Sequence, residues 1–263
     1  MEPKKTIYYS DPLNDDFANN NILTKNIESG FKYIHRNPIW RMASFVLYFG
    51  VAKPLVTAFT KIVFHQKTVN KKCLKEAKRN GAFVYLNHTN SFFDAFIPNY
   101  LCFFKRNYII TSPDATSIPF IRNIVQMLGA IPVASDPSMM KKMYECIKDR
   151  SKDEAIISIY PEAHIWPYYT GIRPFLANSF RYPVKLDKPV YAVTNCYQKR
   201  KFGKFPKVVT YVDGPFYSKE ELNFSENMNY LRNQVYDKMI ERSTQHSTYN
   251  YYEYKPVEEK EIG

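Results

Sequence analysis

Apolar residues along the chain form short runs that alternate with longer amphipathic segments. Each run is bounded by polar or turn-forming residues, a pattern that predicts a buried strand. The predicted strands are 82–86, 108–111, 130–133, 155–159, 190–194 and 208–212. Helix-like segments lie between or after them, at 92–104, 119–128, 137–151, 175–186 and 226–243. This alternation predicts an α/β fold with a mixed, largely parallel central sheet flanked by helices.

The segment before these strands has a different composition. An uncharged, aromatic-rich run at 42–52 is flanked by Arg41 and Lys53, and apolar residues resume after Pro54. The run is roughly half the ~20 residues that a membrane-spanning helix needs. We therefore predict two short helices around Pro54, aromatic on one side and basic at their ends, that dock in a membrane interface. An ordinary pair of core helices fits the same pattern, and a transmembrane hairpin is a further alternative.

Composition and pattern together divide the chain into four parts. A flexible arm rich in Asn and Asp is predicted for 1–26, and a helical, membrane-interfacial segment for 27–79. The α/β domain is predicted for 80–243 and a polar tail for 244–263. The sequence has no internal repeat, which excludes solenoids and propellers.

The charge balance indicates a class of partner. The 263 residues include 37 Lys and Arg against 25 Asp and Glu, a formal net charge of +12. Such an excess favours nucleic acid, an anionic membrane surface or a phosphorylated substrate. The first residues are polar, unlike a signal peptide, and the four cysteines are widely spaced. Both features favour a reducing cytoplasm without disulfides.

Candidate chemistry lies just after two of the predicted strands. Ligands of α/β sheets bind at the carboxyl ends of the strands, which directs attention to 87–94 and 160–167. In the first stretch His88 can act as a base, and Asp94 can fix its tautomer. Alternatively, Asp94 is only an acidic residue in the first turn of a helix. His88, Asp94 and His164 lack the spacing of a metal-binding motif, so no metal is expected.

Four short blocks follow one another over about 80–215. The first is Asn-His through Asp94, and the second is 119–133, a Phe- and Arg-containing helix followed by Gly-Ala-Ile. The third is Tyr-Pro-Glu, ending at Glu162, and the fourth is Lys-Pro-Val-Tyr-Ala-Val at 188–193. In this order they resemble the glycerolipid acyltransferases of the lysophosphatidic acid and glycerol-3-phosphate acyltransferase family.

The blocks depart from the family pattern at two points. Five residues, instead of four, separate His88 from Asp94. Glu162 is followed by Ala-His-Ile where the family has Gly-Thr-Arg, so the arginine that binds the substrate phosphate is missing from its usual place. Arg173 is the nearest replacement and Arg122 a second candidate, because a guanidinium can clamp a phosphate with two hydrogen bonds.

The resemblance implies an enzyme of phospholipid synthesis. It implies transfer of an acyl group from acyl-CoA or acyl carrier protein to a glycerol hydroxyl of lysophosphatidic acid or a similar lysophospholipid. His88 is then the catalytic base, oriented by Asp94, and backbone N–H groups at 91–94 are expected to stabilise the oxyanion. The residues expected to bind the acceptor substrate are Glu162, Arg173, Arg122, His164 and Asn87.

The resemblance also sets the expected partners and location. The partners are an anionic membrane surface, the lysophospholipid and the acyl donor, with no cofactor and no nucleic acid. The predicted location is peripheral, on the cytoplasmic side of the cell membrane. Two alternatives stay open. One is a membrane-associated homologue with lost activity or an altered substrate, because of the two departures. The other is a basic, aromatic-rich nucleic-acid-binding protein.

Overall fold

The computed structural model describes residues 3–18, 27–62, 66–90, 94, 96–102, 104–117 and 119–257. Its strands are β1 (Thr6–Tyr9), β2 (Lys67–Val69), β3 (Ala82–Leu86), β4 (Asn107–Thr111), β5 (Ala130–Pro132), β6 (Ile156–Ile159), β7 (Val190–Gln198), β8 (Lys207–Phe216) and β9 (Glu253–Pro256). Its α-helices are α1 (Pro38–Phe45), α2 (Lys53–Ile62), α3 (Ala77–Asn80), α4 (Ile97–Leu101), α5 (Asp114–Ser117), α6 (Pro119–Met127), α7 (Pro137–Lys152), α8 (Arg181–Leu186) and α9 (Phe224–His246). A π-helical segment covers Val46–Ala52, and 3-10 helices cover Lys71–Lys75 and Ala177–Phe180.

The central sheet confirms the predicted fold class. Among the described residues, seven strands pair in the order β2-β8-β7-β3-β6-β4-β5. β3 is parallel to β6 and β7, and β4 is parallel to β6 and β5. β8 runs antiparallel to β7, and β2 is parallel to β8. The ends of β3, β6 and β7 therefore meet at one side of the sheet, which we call the carboxyl edge.

The central strand β3 is buried on both faces, as its uninterrupted apolar sequence predicts. Phe83 and Tyr85 face a core shared with α7 and α9. Val84 and Leu86 face a second core shared with α4. Each such side chain contributes about 1.5–3 kcal/mol when it is fully buried. The loop that follows β3 therefore begins from a rigid base.

Two of the predicted helices are shorter in the structure. Within 92–104 the described helix is α4, and residues 91–93, 95 and 103 lie outside the described part of the chain. The segment 175–186 begins as an extended chain and a 3-10 turn, and only then becomes α8. The carbonyl of Phe175 accepts a hydrogen bond from Arg232 Nε at 2.9 Å, which ties this segment to α9.

The predicted helix break at Pro54 is wrong. α1, the π-helical segment and α2 form one helical stretch from Pro38 to Ile62. In the π-helical segment the N–H of Lys53 bonds to the carbonyl of Tyr48, five residues back. This wider hydrogen-bond pattern lies directly before Pro54, which has no N–H to donate, so the helix continues through it. Among the described residues this stretch alone is long and apolar enough to cross a membrane.

Polar side chains attach one side of this helical stretch to the α/β domain. Ser44 Oγ donates to the carbonyl of Met127 at 2.8 Å, and Tyr48 accepts from the N–H of Asn107 at 2.8 Å. The buried ammonium of Lys53 donates to two carbonyls that precede β4, at 3.3 and 2.6 Å. Elsewhere the stretch exposes large apolar residues. These residues, which we call the apolar helix face, are Ile39, Met42, Phe45, Val46, Val51, Leu55, Phe59 and Ile62.

The two ends of the chain contain structure that the pattern did not predict. Thr6–Tyr9, in the predicted arm, pairs in parallel with Glu253–Pro256, in the predicted tail. Tyr251, just before β9, is buried. This pairing joins segments that are far apart in sequence, so a local pattern of apolar residues does not predict it. It places a small second sheet over the loop that follows β6.

Candidate active site

His88 lies at the carboxyl edge, two residues beyond β3. Its Nδ1 is 2.7 Å from Oδ2 of Asp94. The same oxygen accepts the N–H of Asn90 at 2.9 Å, and the N–H of Asp94 donates to the carbonyl of Asn90 at 3.0 Å. The turn closed by Asn90 brings the pair together despite the extra residue between them. Residues 91–93, where most of the oxyanion donors are predicted, lie outside the described residues.

The aspartate of the pair is buried, whereas the histidine is partly exposed to solvent. Asp94 is buried, and desolvation raises the pKa of its carboxyl group above the ordinary value, while hydrogen bonds from His88 and Asn90 oppose this shift. The His88 side chain is 17% exposed, so solvent reaches it. Its ring stacks on Tyr160 at 4.4 Å, and the Tyr160 hydroxyl donates to the carbonyl of Asp94. With Nδ1 donating to a carboxylate, Nε2 is the ring nitrogen that can accept a proton.

Glu162 connects the two loops that form the site. Its Oε2 accepts the backbone N–H of His88 at 2.8 Å, and its Oε1 accepts the backbone N–H of Arg173 at 3.0 Å. The side chain is 3% exposed, and burial raises its pKa. Both oxygens therefore hold backbone groups. Glu162 therefore holds the backbone of His88 in place, and its contact with the acceptor substrate stays a prediction.

Arg173 is also used inside the structure. Its side chain is 1% exposed. One Nη donates to the carbonyl of Glu162 at 2.8 Å and to the carbonyl of His164. Its guanidinium lies over the ring of Trp166 at 5.1 Å. A guanidinium that is buried and bonded to loop carbonyls is not presented to a substrate phosphate, so this geometry disfavours the predicted role.

The Asn87 side chain has a structural contact of the same kind. It is buried beside the site, where its Nδ2 donates to the carbonyl of Asn195 at 3.1 Å. Its Oδ1 accepts the N–H of Asn195 at 2.8 Å. This pair of bonds joins the ends of β3 and β7. The structure therefore shows Asn87 as a bridge between the two strands, and its contact with substrate stays a prediction.

The two remaining predicted ligands lie further out. His164 is partly exposed, and its Nδ1 is 3.7 Å from a carboxylate oxygen of Asp16. Arg122, on α6, donates from Nε to the carbonyl of Thr116 at 2.9 Å. Within the described residues neither side chain hydrogen-bonds to His88. The structure therefore gathers His88, its acid partner and Glu162, and leaves Arg122 and His164 outside that cluster.

Backbone groups of the loop after β6 also support the base. The N–H of Trp166 donates to the carbonyl of His88 at 3.1 Å, and the N–H of Tyr168 donates to the carbonyl of Thr89 at 2.7 Å. Beneath them, the buried Tyr197 hydroxyl contacts Oγ1 of Thr89 at 2.8 Å. Sequence reasoning missed Tyr197. Its place at the end of β7, next to β3, was the available signal.

The chain ends hold this loop in turn. The indole N–H of Trp166 donates to the carbonyl of Asp15 at 2.8 Å, and its ring stacks on Tyr254 at 4.9 Å. Phe17 contacts the same ring, and its N–H donates to the carbonyl of Ile165 at 3.0 Å. An aromatic residue in the loop after Glu162 could either pack in the core or line a substrate pocket. For Trp166, which is 1% exposed, the role is packing.

The site thus defines a class of protein in which a partly exposed histidine, paired with a buried aspartate, lies at the carboxyl edge of a largely parallel sheet. No cluster of metal-ligating side chains occurs among the described residues. A family model described as Acyltransferase matches residues 61–195, which is more than half of the chain. The chain belongs to this acyltransferase family, and the family resemblance of the four blocks is confirmed.

A solved structure supports the same fold. The 1-acyl-sn-glycerophosphate (LPA) acyltransferase PlsC from Thermotoga maritima is similar with a TM-score of 0.54 and 17% sequence identity. The match covers 77% of this chain and 86% of that protein. No curated protein matches the sequence significantly. At this identity the likeness establishes the fold, and the substrate has to be argued from the site.

Proposed function

We propose that the protein transfers a fatty acyl group from acyl-CoA or acyl carrier protein to a glycerol hydroxyl of a lysophospholipid such as lysophosphatidic acid. The observation that carries this proposal is the 2.7 Å contact between His88 Nδ1 and Asp94 Oδ2 at the carboxyl edge of an acyltransferase fold. A hydroxyl group needs a base to become a nucleophile at neutral pH, and the pair supplies one.

The proposed reaction proceeds without a covalent acyl-enzyme. Nε2 of His88 takes the proton of the glycerol hydroxyl as the oxygen attacks the thioester carbonyl. The resulting oxyanion collapses, the carbon–sulfur bond breaks, and the thiolate leaves with the proton that His88 took up. Asp94 stabilises the imidazolium that exists between these steps. Glu162 keeps the His88 backbone in place, and Arg122 remains the candidate for the acceptor phosphate.

Membrane docking by the apolar helix face is part of the proposal. A contiguous row of exposed apolar side chains on a helix is costly in water and favourable at a lipid interface. The polar contacts of Ser44, Tyr48 and Lys53 hold the opposite side to the domain. This attachment favours a helix that lies along the membrane surface over one that spans it. We place the enzyme peripherally, on the cytoplasmic side of the cell membrane.

The test is an acyl-transfer assay with radiolabelled acyl-CoA and lysophosphatidic acid in mixed micelles, comparing wild type, His88→Ala and His35→Ala. His35 is a control histidine that precedes α1 and stacks on Trp40. We expect transfer to fall by about 10³-fold in His88→Ala, since general-base catalysis contributes about 10²–10⁴-fold and is lost with the imidazole. The control should keep its rate. Equal rates in wild type and His88→Ala would refute the mechanism, and no transfer by wild type would favour the inactive homologue.

A further inference from the structure

The hairpin loop 199–206 is a second unusual surface at the carboxyl edge. It joins β7 to β8, and the residues on either side of it, Gln198 and Lys207, are paired across the two strands. Since β3 and β7 are parallel, the loop leaves the sheet on the same side as His88. We call these residues the basic aromatic loop.

The composition of this loop is that of an interfacial segment. It contains Lys199, Arg200, Lys201 and Lys204, and no Asp or Glu occurs from 199 to 207. None of its three lysines forms an ion pair with any described residue of the chain. Between them Phe202 is 77% exposed and Phe205 is 50% exposed, with a positive-φ glycine separating the two rings. Cations beside exposed aromatic rings suit the boundary between lipid headgroups and acyl chains.

The base of the loop is fixed, whereas its tip projects. The ammonium of Lys4 donates to the carbonyl of Lys204 at 3.3 Å, and it also donates to the hydroxyl of Tyr251 at 3.1 Å. The ring of Phe205 lies 6.3 Å from that of Tyr251. Nothing comparable covers Phe202 among the described residues, where its ring contact is with the neighbouring Lys201. The loop therefore presents a charged and aromatic tip from a rigid support.

The loop is close enough to the site to matter for a lipid substrate. Asn195 is hydrogen-bonded to Asn87, the residue before His88. Lys199 follows four residues later on an extended strand, which is a distance of about 13 Å at ~3.3 Å per residue. That is less than half the ~30 Å thickness of a bilayer core. A membrane touched by this tip would lie within reach of the catalytic edge.

We propose that the basic aromatic loop is an anionic-lipid docking element that sets the carboxyl edge against the membrane, separately from the apolar helix face. The choice of lipid over nucleic acid rests on the proposed function, because the substrate of a glycerolipid acyltransferase resides in a membrane. The positive charges of the loop bind anionic headgroups by charge complementarity. The ring of Phe202 inserts between these headgroups.

The test measures binding of the full chain to vesicles of phosphatidylcholine alone and of phosphatidylcholine with 30 mol% phosphatidylglycerol. The wild-type protein is compared with K199Q/K201Q/K204Q and with F202S. Matched controls outside both proposed docking elements are K152Q/K185Q/K219Q, which removes three exposed lysines, and F224S, which removes an exposed aromatic ring. Flotation gives the partition coefficient for each protein on both vesicles.

We expect the preference for anionic vesicles to fall about fivefold for each loop lysine, so about 100-fold for the triple variant. F202S should weaken binding to both vesicles by about tenfold. The controls should change either value by less than about threefold. Equal losses in loop and control variants would show that only net charge matters and would overturn the proposal.

Tighter binding to a single-stranded oligonucleotide than to anionic vesicles, lost in the same triple variant, would overturn the choice of lipid. Because the readout is binding, its outcome is separate from the chemistry of His88. A protein that binds vesicles through the loop but transfers no acyl group would refute the proposed function and leave the docking element intact.

Discussion

Glu162→Gln removes one acceptor from a carboxylate that holds two backbone groups. Oε2 accepts from the N–H of His88 at 2.8 Å, and Oε1 accepts from the N–H of Arg173 at 3.0 Å. An amide has one oxygen and one NH₂ group. Whichever way it is oriented, one buried N–H then faces another donor.

The magnitude follows from these two bonds. A buried donor left without an acceptor costs about 1–3 kcal/mol, and the other bond loses about 1 kcal/mol when its acceptor becomes neutral. The expected loss of unfolding free energy is therefore about 2–4 kcal/mol. For a chain of this size each kcal/mol lowers the melting temperature by about 2–4 °C, so a decrease of about 4–16 °C is expected. The altered position of His88 should also reduce transfer by about 10²-fold, as misplacement by about 1 Å can.

The assay pairs thermal unfolding by circular dichroism with the transfer rate, both at pH 8, because a high pH favours the ionised carboxylate of a group whose pKa is raised by burial. Glu154→Gln is the matched control, because Glu154 is half exposed and pairs with Lys105 at 2.8 Å on the surface. Loss of such a pair costs at most about 1 kcal/mol. If Glu162→Gln melts within a degree of the control and keeps its rate, the carboxylate does not hold the base, and the reasoning fails.

Further predictions concern three other buried side chains. Asp94→Asn should lower kcat/KM by at least about 10²-fold with little change in melting temperature, because the imidazolium loses its counter-charge; an unchanged kcat/KM would remove Asp94 from the mechanism. Burial raises the pKa of Asp94, so above pH 3.8 the folded chain binds more protons at this group than the unfolded chain; the unfolding free energy should therefore fall more steeply as the pH rises above 3.8 in wild type than in Asp94→Asn, and equal slopes would contradict the shift. Trp166→Leu should lower the unfolding free energy by about 2–4 kcal/mol in denaturant titration, since it removes packing and the bond to Asp15; a loss below about 1 kcal/mol would contradict the support assigned to the chain ends. Burial lowers the pKa of Lys53 to about 8 from 10.5, so the unfolded chain binds more protons above pH 8, and the unfolding free energy should rise from pH 8 to 9 in wild type and rise less in Lys53→Met.

The sequence pattern predicted those parts of the fold that depend on local order. The strand positions, the parallel sheet and the approach of His88 to Asp94 follow from apolar runs and from the residues that end them. The hydrogen-bond contact between the two side chains could not be predicted, because the sequence pattern does not determine the conformation of the five residues between them. Asn90 closes that turn, through bonds to both the carboxylate and the N–H of Asp94.

Arg173 shows why the rest could not be predicted. The sequence places an arginine on a loop near the site, and an arginine that binds a substrate phosphate would be placed in the same way. The sequence alone therefore does not distinguish the two roles. Its burial is set by Trp166, Glu162 and the chain ends, which are distant in sequence or lie in loops. The helical stretch at Pro54 is a similar case, because the π-helical hydrogen bond from Lys53 to Tyr48 has no signature in the pattern of apolar residues.

The pairing of β1 with β9 has a consequence for the order of assembly. Thr6 and Glu253 lie 247 positions apart and are joined in the structure. During synthesis β1 emerges before β9, so β1 has no partner strand until residues 253–256 have been made. Until the same stage Trp166 lacks one of its packing partners, Tyr254. Closure of so long a loop is costly, so it is expected late in folding. The newly made chain would therefore acquire its central sheet and its His–Asp pair first, and a fixed loop after β6 only when β1 pairs with β9.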